Sequence, residues 1–252
     1  MDKDELSLLD AEDSTSSPLD FIEPVGSSRQ DNPPIDPEEM LALLTAEEAS
    51  KRTIAARAFC ELKEPRAIPH LIRLLKDTCP LVRVSSAYAL GRNHNAETVE
   101  PLVQLLSQDW NGYVRKGIVW ALGSSGDRRA VPPLIHALQT DISAVRLWAA
   151  SSLAQVGVLA YEDIIAAIPP LIGGLRRDPV AAVRSNCAWA IGQLCRELPS
   201  NVVYATAIDA LIESLVEDED FGVKEDAKSA ILRVGDARGL RTIEELELEG
   251  LI

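Results

Sequence analysis

The sequence predicts an all-α fold, a solenoid of about six helix pairs, and three observations carry that prediction. A basic residue recurs at Arg52, Arg83, Arg115, Arg146, Arg184 and Lys224, at spacings of 31, 32, 31, 38 and 40 residues. Valine directly precedes five of these six (Val82, Val114, Val145, Val183, Val223). Six positions after each comes a small residue (Ala58, Ala89, Ala121, Ser152, Ala190, Ala230) and then a large apolar one (Phe59, Leu90, Leu122, Leu153, Ile191, Ile231). Between these phrases lie apolar pairs such as Leu71-Ile72-Leu74-Leu75 and Leu102-Val103-Leu105-Leu106, at the spacing that fills one helix face. Self-similarity at this period means that each short unit buries its apolar face only against its neighbours. No run alternates apolar and polar residues long enough to make a strand.

Taken in order, residues 1–35 are a different material. They hold nine acids against Lys3 and Arg29, with Ser14-Thr15-Ser16-Ser17-Pro18 and Asp31-Asn32-Pro33-Pro34 among them. Such a segment buries too little apolar surface to offset its ordering entropy, so a disordered acidic tail is expected here and a solenoid over 36–252. Two apolar clusters, Leu6/Leu8/Leu9 and Leu19/Phe21/Ile22, leave open a second role as a docking segment. Asp36-Pro37-Glu38-Glu39 reads as an N-cap, a first-turn proline and acids suited to the helix dipole. Thr45-Ala46-Glu47-Glu48 reads as a capping box opening the first helix of the Val-Arg type. The first helix of each pair begins near a proline (Pro69, Pro101, Pro132, Pro169), and Asp178-Pro179 reads as N-cap and first helical residue. Around Tyr161–Ile165 an insert adds about two turns to one helix. Leu198-Pro199-Ser200-Asn201 marks a longer connection. The Glu-rich stretch Thr242–Leu248 reads as a half-repeat that shields the last core face.

The stretch Val114-Arg115-Lys116-Gly117-Ile118-Val119-Trp120-Ala121-Leu122-Gly123, then Ser125-Gly126-Asp127 and Val131-Pro132-Pro133-Leu134, resembles the HEAT-like repeats named after phycobilisome lyases. Val82–Gly91, Val183–Gly192 and Val223–Asp236 follow the same pattern, and the resemblance spans roughly residues 45–240. It implies that the second helix of each pair lines a concave surface. It also implies a ladder of Asp–Arg pairs from repeat to repeat. Asp77, Asp109 and Asp178 fit that ladder, each six residues before an arginine, with Asp141 one residue off register. A cyanobacterial setting follows from the resemblance too, with two kinds of relative in view. These are the HEAT proteins that bind A-type iron–sulfur carriers, and the bilin lyase subunits with related phycobilisome factors.

Charge and composition narrow the classes. A formal charge of −14 disfavours nucleic acid, whose binding needs Lys and Arg on the phosphates. No apolar run reaches the length of a membrane span. Met1-Asp2-Lys3-Asp4-Glu5 lacks the basic start and apolar core of a signal peptide. The four cysteines form no disulfide framework, so a reduced, cytoplasmic, monomeric protein is expected.

Catalytic and metal motifs are sparse. His70-Leu71, His94-Asn95 and His136-Ala137 lack the His-Glu pairs with which HEAT-like repeats build the di-iron site of deoxyhypusine hydroxylase. Cys187 occupies the small-residue core offset of Ala149 and Ala227, while Cys195 and His94 share an offset without metal-ligand spacing. Neither catalytic residues nor a cofactor or metal is expected.

Aromatic residues carry the candidate site. Tyr88, Trp120 and Trp189 stand five after the basic residue, and Trp148 stands three residues before Ser151, which takes that offset in its own repeat. With Ser85, Gly117 and Asn186 two after it, they are expected to line a groove that receives a protein partner. Gly117 reads as leaving room over Trp120. The partner is expected to be an iron–sulfur carrier or a phycobiliprotein-related protein, and the protein a non-enzymatic scaffold, with a bilin lyase subunit as the alternative.

Overall fold

Thirteen α-helices and no strand occur among the described residues, which are 35–156 and 160–250 of this computed structural model. Apart from Ile35, the expected acidic tail lies outside them. The chain forms two compact units, the first ending at Pro133 and the second beginning at Leu134.

The first unit holds α1 (Pro37–Leu43), α2 (Ala49–Ala58), α3 (Ile68–Leu74), α4 (Pro80–Arg92), α5 (Val99–Gln108) and α6 (Gly112–Ser124). The first helix of a pair packs on the second, α3 on α4 and α5 on α6, and the second helices α2, α4 and α6 stack on one another. The repeat phrase supplies the core: Val82 and Val114 are buried, as are the small-large pairs Ala58-Phe59, Ala89-Leu90 and Ala121-Leu122. The small residues bring the helix backbones close enough for the large ones to interdigitate, which is what native packing density requires.

Three of the first helices are entered through a 3-10 turn, at Pro65–Ala67, Ala96–Thr98 and Arg128–Ala130. Glu64, Asn95 and Asp127 cap these turns by accepting the N–H of Arg66, Glu97 and Arg129. Pro69 and Pro101 therefore fall in the first turn of their helices, where the missing N–H has no intrahelical acceptor to lose. Asp36 caps α1 as expected, accepting the Glu38 N–H at 3.0 Å. Thr45 does not open α2. Its hydroxyl turns back to the Ala42 carbonyl, and the helix begins at Ala49 after Glu48, with no side-chain cap.

From α7 (Val131–Thr140), whose first turn closes the first unit, the second unit runs on through α8 (Ser143–Gln155), α9 (Tyr161–Arg177), α10 (Ala181–Cys195), α11 (Val202–Glu217), α12 (Phe221–Val234) and α13 (Ala237–Leu248). Here α9 and α11 are the first helices, and α8, α10 and α12 stack as the second ones. The insert lengthens α9 to 17 residues, so Pro169 and Pro170 lie inside the helix rather than at its start. Asp178 is likewise no N-cap. It lies three residues before α10, accepting the Val180 N–H at 3.0 Å. The final helix starts at Ala237, earlier than its Glu-rich half indicated, because Asp236 accepts the Arg238 and Gly239 N–H groups. Left-handed Gly235 (φ 74°) ends α12 directly before it, a conformation costly for any residue with a Cβ. The architecture is an all-α solenoid of HEAT-like helix pairs.

Candidate functional site

Arginine starts five of the six phrases and ties its helix to the adjoining turns. Arg52 donates through Nε and Nη2 to both carboxylate oxygens of Asp77 in the following repeat, at 2.7 and 3.0 Å. Arg83 does the same to Asp109 at 2.6 and 3.0 Å, Arg146 to Asp178 at 2.6 and 2.8 Å, and Arg184 to Asp218 at 2.8 and 2.8 Å. The remaining guanidinium arm, Nη1, turns to a carbonyl of its own repeat: Arg83 to Asp77, Arg115 to Asp109, Arg184 to Asp178. Each aspartate also accepts a backbone N–H two residues on, from Cys79, Asn111, Val180 or Asp220, which fixes the turn into the second helix. Only a planar fork satisfies both oxygens at once. Desolvating such pairs cancels most of their Coulomb gain, so the ladder fixes register more than it adds stability. Asp218 was missed in the sequence because its own repeat carries Lys224 rather than arginine.

Burial raises the Asp77 and Asp218 carboxyls, but the Arg52 and Arg184 hydrogen bonds and the turn N–H groups outweigh it and leave both below the usual carboxylate range. The aspartate hydrogen bonds hold Arg52, Arg146 and Arg184 above the ordinary arginine value.

Beside the ladder, residues one, five and nine after each basic position form a stripe along the second helices. In the first unit it carries Arg57, Tyr88, Arg92, Lys116 and Trp120. The Tyr88 and Trp120 rings meet edge to face, their centroids 5.2 Å apart at 62°, and the Arg92 guanidinium lies 5.6 Å over the indole. Trp120 is half-buried, while Tyr88 retains only 1% of its surface and Ser85 only 3%. Tyr88 and Ser85 are thus packing residues between stacked helices and offer a partner no surface. A Cβ on Gly117 would stand 2.9 Å from Val84 Cγ2 and 3.4 Å from Tyr88 Cζ, so this glycine serves the α4–α6 contact and does not clear space over Trp120. Gly91 does that. A Cβ there would stand 2.7 Å from Trp120 Cζ3 and 2.8 Å from Ala121 Cα. The indole lies on a bare stretch of α4, braced by Tyr88 and covered by Arg92.

The Tyr88 hydroxyl has no hydrogen-bond partner among the described residues, and burial pushes its pKa well up. Burial also raises the nearby Cys60 thiol to about 12, against the pull of Arg92 and Arg57, and lowers the Lys116 ammonium. Cys195 is raised to about 12 and Cys187 higher still by the same cause. These thiols stay protonated and are poor nucleophiles.

In the second unit Trp148, Trp189 and Ser151 are half-buried on α8 and α10. Asn186 is committed to structure: its amide donates to the Leu147 carbonyl at 3.1 Å and ties α10 to α8. An open cleft of about 690 Å³ lies on the same unit, lined by Thr140, Pro169, Gly173, Arg177 and the Arg146–Asp178 pair. Among the described residues no three His, Cys, Asp or Glu side chains converge as metal ligands, and no helix is long and apolar enough to cross a membrane.

The turns hold exposed apolar surface that the repeat pattern does not mark. Trp110, at 78% exposure, is the most exposed aromatic ring among the described residues, and Tyr113 and Leu81 are more than half exposed. The Trp110 backbone is pinned on both sides, by Asp109 to the Asn111 N–H and by Asn111 to the Tyr113 and Val114 N–H groups. The signal was available: these offsets, five and two before the basic residue, have no core role in the repeat, so a large ring there has nowhere to be buried.

Known proteins share the fold. The chain is 28% identical over 187 residues to phycocyanin operon protein Z of Pseudanabaena tenuis (strain PCC 7409), covering 71% of this chain and 85% of that one. Its fold is similar to that in the complex of CpcE and CpcF of phycocyanin lyase from Nostoc sp. PCC7120, with a TM-score of 0.54 at 21% identity over 89% of this chain and 97% of that one. A designed armadillo repeat protein in complex with the peptide (KR)4 is similar at a TM-score of 0.57 and 21% identity, over 79% of this chain and 98% of that one. The model for HEAT repeats matches residues 37–117 and 99–192, more than half of the sequence, and the chain belongs to the HEAT-repeat family.

Proposed function

We propose that this chain is a non-enzymatic adaptor that holds a protein client on the exposed face of its second helices. The observation that carries this reading is the seat of Trp120: a partly exposed indole held between Gly91, Tyr88 and Arg92 before any partner arrives. A ring already fixed costs little entropy to bury, and Trp and Arg are the residues that dominate interface energetics. Trp189 and Trp148 extend the proposal to the second unit, and Trp110 with Tyr113 supplies exposed apolar surface at the turns. Tyr88, Ser85, Gly117 and Asn186 support the face from beneath.

The client we favour is phycobiliprotein-related. Support comes from the relative named for a phycocyanin operon and from the fold shared with the phycocyanin lyase complex; neither comparison points to an iron–sulfur carrier. Titrating purified phycocyanin against the chain by fluorescence anisotropy tests this. Saturable binding is expected, weakened roughly thirtyfold by Trp120→Ala, the effect of losing about 2 kcal/mol at a hot spot. Absence of binding to holo- and apo-phycocyanin alike would remove the client assignment.

The likeness to the CpcE and CpcF complex favours a second reading, a bilin lyase subunit. Incubation of the chain with phycocyanobilin and apo-phycobiliprotein separates the two. No thioether adduct is expected from an adaptor, and adduct formation would replace the non-enzymatic reading.

A further inference from the structure

We propose that the second-helix stripe of the first unit is a docking site for the chain's own acidic segment, residues 1–34, which competes there with the client. This rests on the reading of that stripe as the client face and adds a built-in competitor to it.

Charge is the first argument. Residues 1–34 carry nine acids and two bases, and the second unit carries eighteen acids against ten bases. The first unit, from residue 35 to 133, has thirteen bases against twelve acids and is the one part of the chain that is not acidic. Its stripe is more basic still, with Arg57, Arg92 and Lys116 against the single acid Glu61. The same offsets in the second unit read Leu147, Ser151, Gln155, then Ser185, Trp189, Gln193, then Glu225, Ser229, Arg233, with no net charge. Attraction therefore selects one stripe out of two.

Chemistry is the second. The segment is not merely acidic: Leu19, Phe21 and Ile22 stand between Asp20 and Glu23, with Asp10, Glu12 and Asp13 upstream. That alternation matches a face on which the Trp120 ring lies beside Arg92 and Lys116, apolar residues meeting the indole and carboxylates the cations.

Reach is the third. The segment joins the fold at α1, which packs on α2, the first helix of the stripe. Thirteen residue-to-residue steps lead from Ile22 to Ile35, enough to span roughly 45 Å. The axes of α2, α4 and α6, stacked at ordinary helix spacing, cover only about 20 Å. A tethered ligand within reach acts at millimolar effective concentration, so even a weak contact is well occupied.

Zero-length carbodiimide coupling of the full chain, without client, followed by mass spectrometry, tests the proposal. Mixing isotopically light and heavy protein separates links within one chain from links between copies. Carboxylates from Asp10 to Glu23 should couple to Lys116 within one chain about tenfold more than to Lys76, Lys224 or Lys228, as an effective concentration at one site implies. The excess should vanish on adding salt to about 1 M, where the Debye length falls to roughly 3 Å, and in Arg92→Glu, an exposed position whose substitution leaves the core untouched. Links spread evenly over the lysines, links found only between copies, or a Lys116 link indifferent to salt and to Arg92→Glu would each overturn it. Because no client is present, failure here leaves the adaptor reading intact, and failure to bind phycocyanin leaves this one intact.

Discussion

Arg83 grips Asp109 with two hydrogen bonds of 2.6 and 3.0 Å, and the two side chains retain only 8% and 2% of their surface. Neither charge has another route to water, so each exists in the fold by virtue of the other.

Asp109→Asn is accordingly expected to destabilise the protein by about 3–5 kcal/mol, since it leaves the Arg83 cation buried without its counter-charge. The double variant Arg83→Met, Asp109→Leu should recover most of that loss. Denaturant unfolding of both variants measures the difference, and a single variant as stable as the parent would show that the pair is solvated.

The ladder should also set the acid limit of the fold. Asp77 and Asp218 titrate lower in the folded chain than unfolded, where a carboxyl sits near about 3.9. Their contribution is complete above that value and is lost as pH falls through the lower folded values. Thermal midpoints should be level down to about pH 5 and fall below about pH 4, and Asp77→Asn should flatten part of the fall. A decline centred near neutral pH would point instead to histidine.

Two glycines should respond differently to the same change. An added methyl at Gly117 meets a methyl of Val84, a side chain stiff at χ1, and shifting it offsets the roughly 1 kcal/mol gain in helix propensity. At Gly91 it meets the Ala121 Cα, which is backbone and cannot shift. Gly91→Ala should cost about 1–3 kcal/mol and Gly117→Ala close to nothing, read from urea midpoints.

Tyr88→Phe removes a hydroxyl that is buried without a partner among the described residues. The variant should be as stable as the parent or more so, by up to about 1–3 kcal/mol, with the ring contact to Trp120 kept. A drop in melting temperature would reveal a hydrogen bond that the hydroxyl makes in solution.

What could be read from the sequence was whatever repeats. The basic residue, its valine and the small-large pair predicted the helix pairs, because a position filled the same way in several units must meet the same neighbours, whereas the ladder was implied by the family resemblance. The site was legible only in part. An offset names a helix face, but whether a ring on that face is covered depends on how closely the next helix approaches, and that is set by residues such as Gly91 and Gly117. So Tyr88 and Trp120, identical by offset, differ in exposure. The departures, at Thr45, Pro169 and Asp178, arose where short polar residues and prolines fit a turn as well as a helix start.

Lys224 is where the ladder stops, and its ammonium goes to the Val216 carbonyl instead of to an aspartate of another repeat. Arg52, Arg83, Arg146 and Arg184 each reach forward with two arms and back with one, so these joints are directional and present the same fitting to the next repeat. Copy number is thereby a heritable variable: excising residues 77–108 as a block would bring Asp109 to the place of Asp77, still six residues before an arginine and within the grasp of Arg52. Interior units can be lost or duplicated in evolution without redesigning their neighbours, whereas the lysine acts as a terminator that no further unit can engage by the same fork.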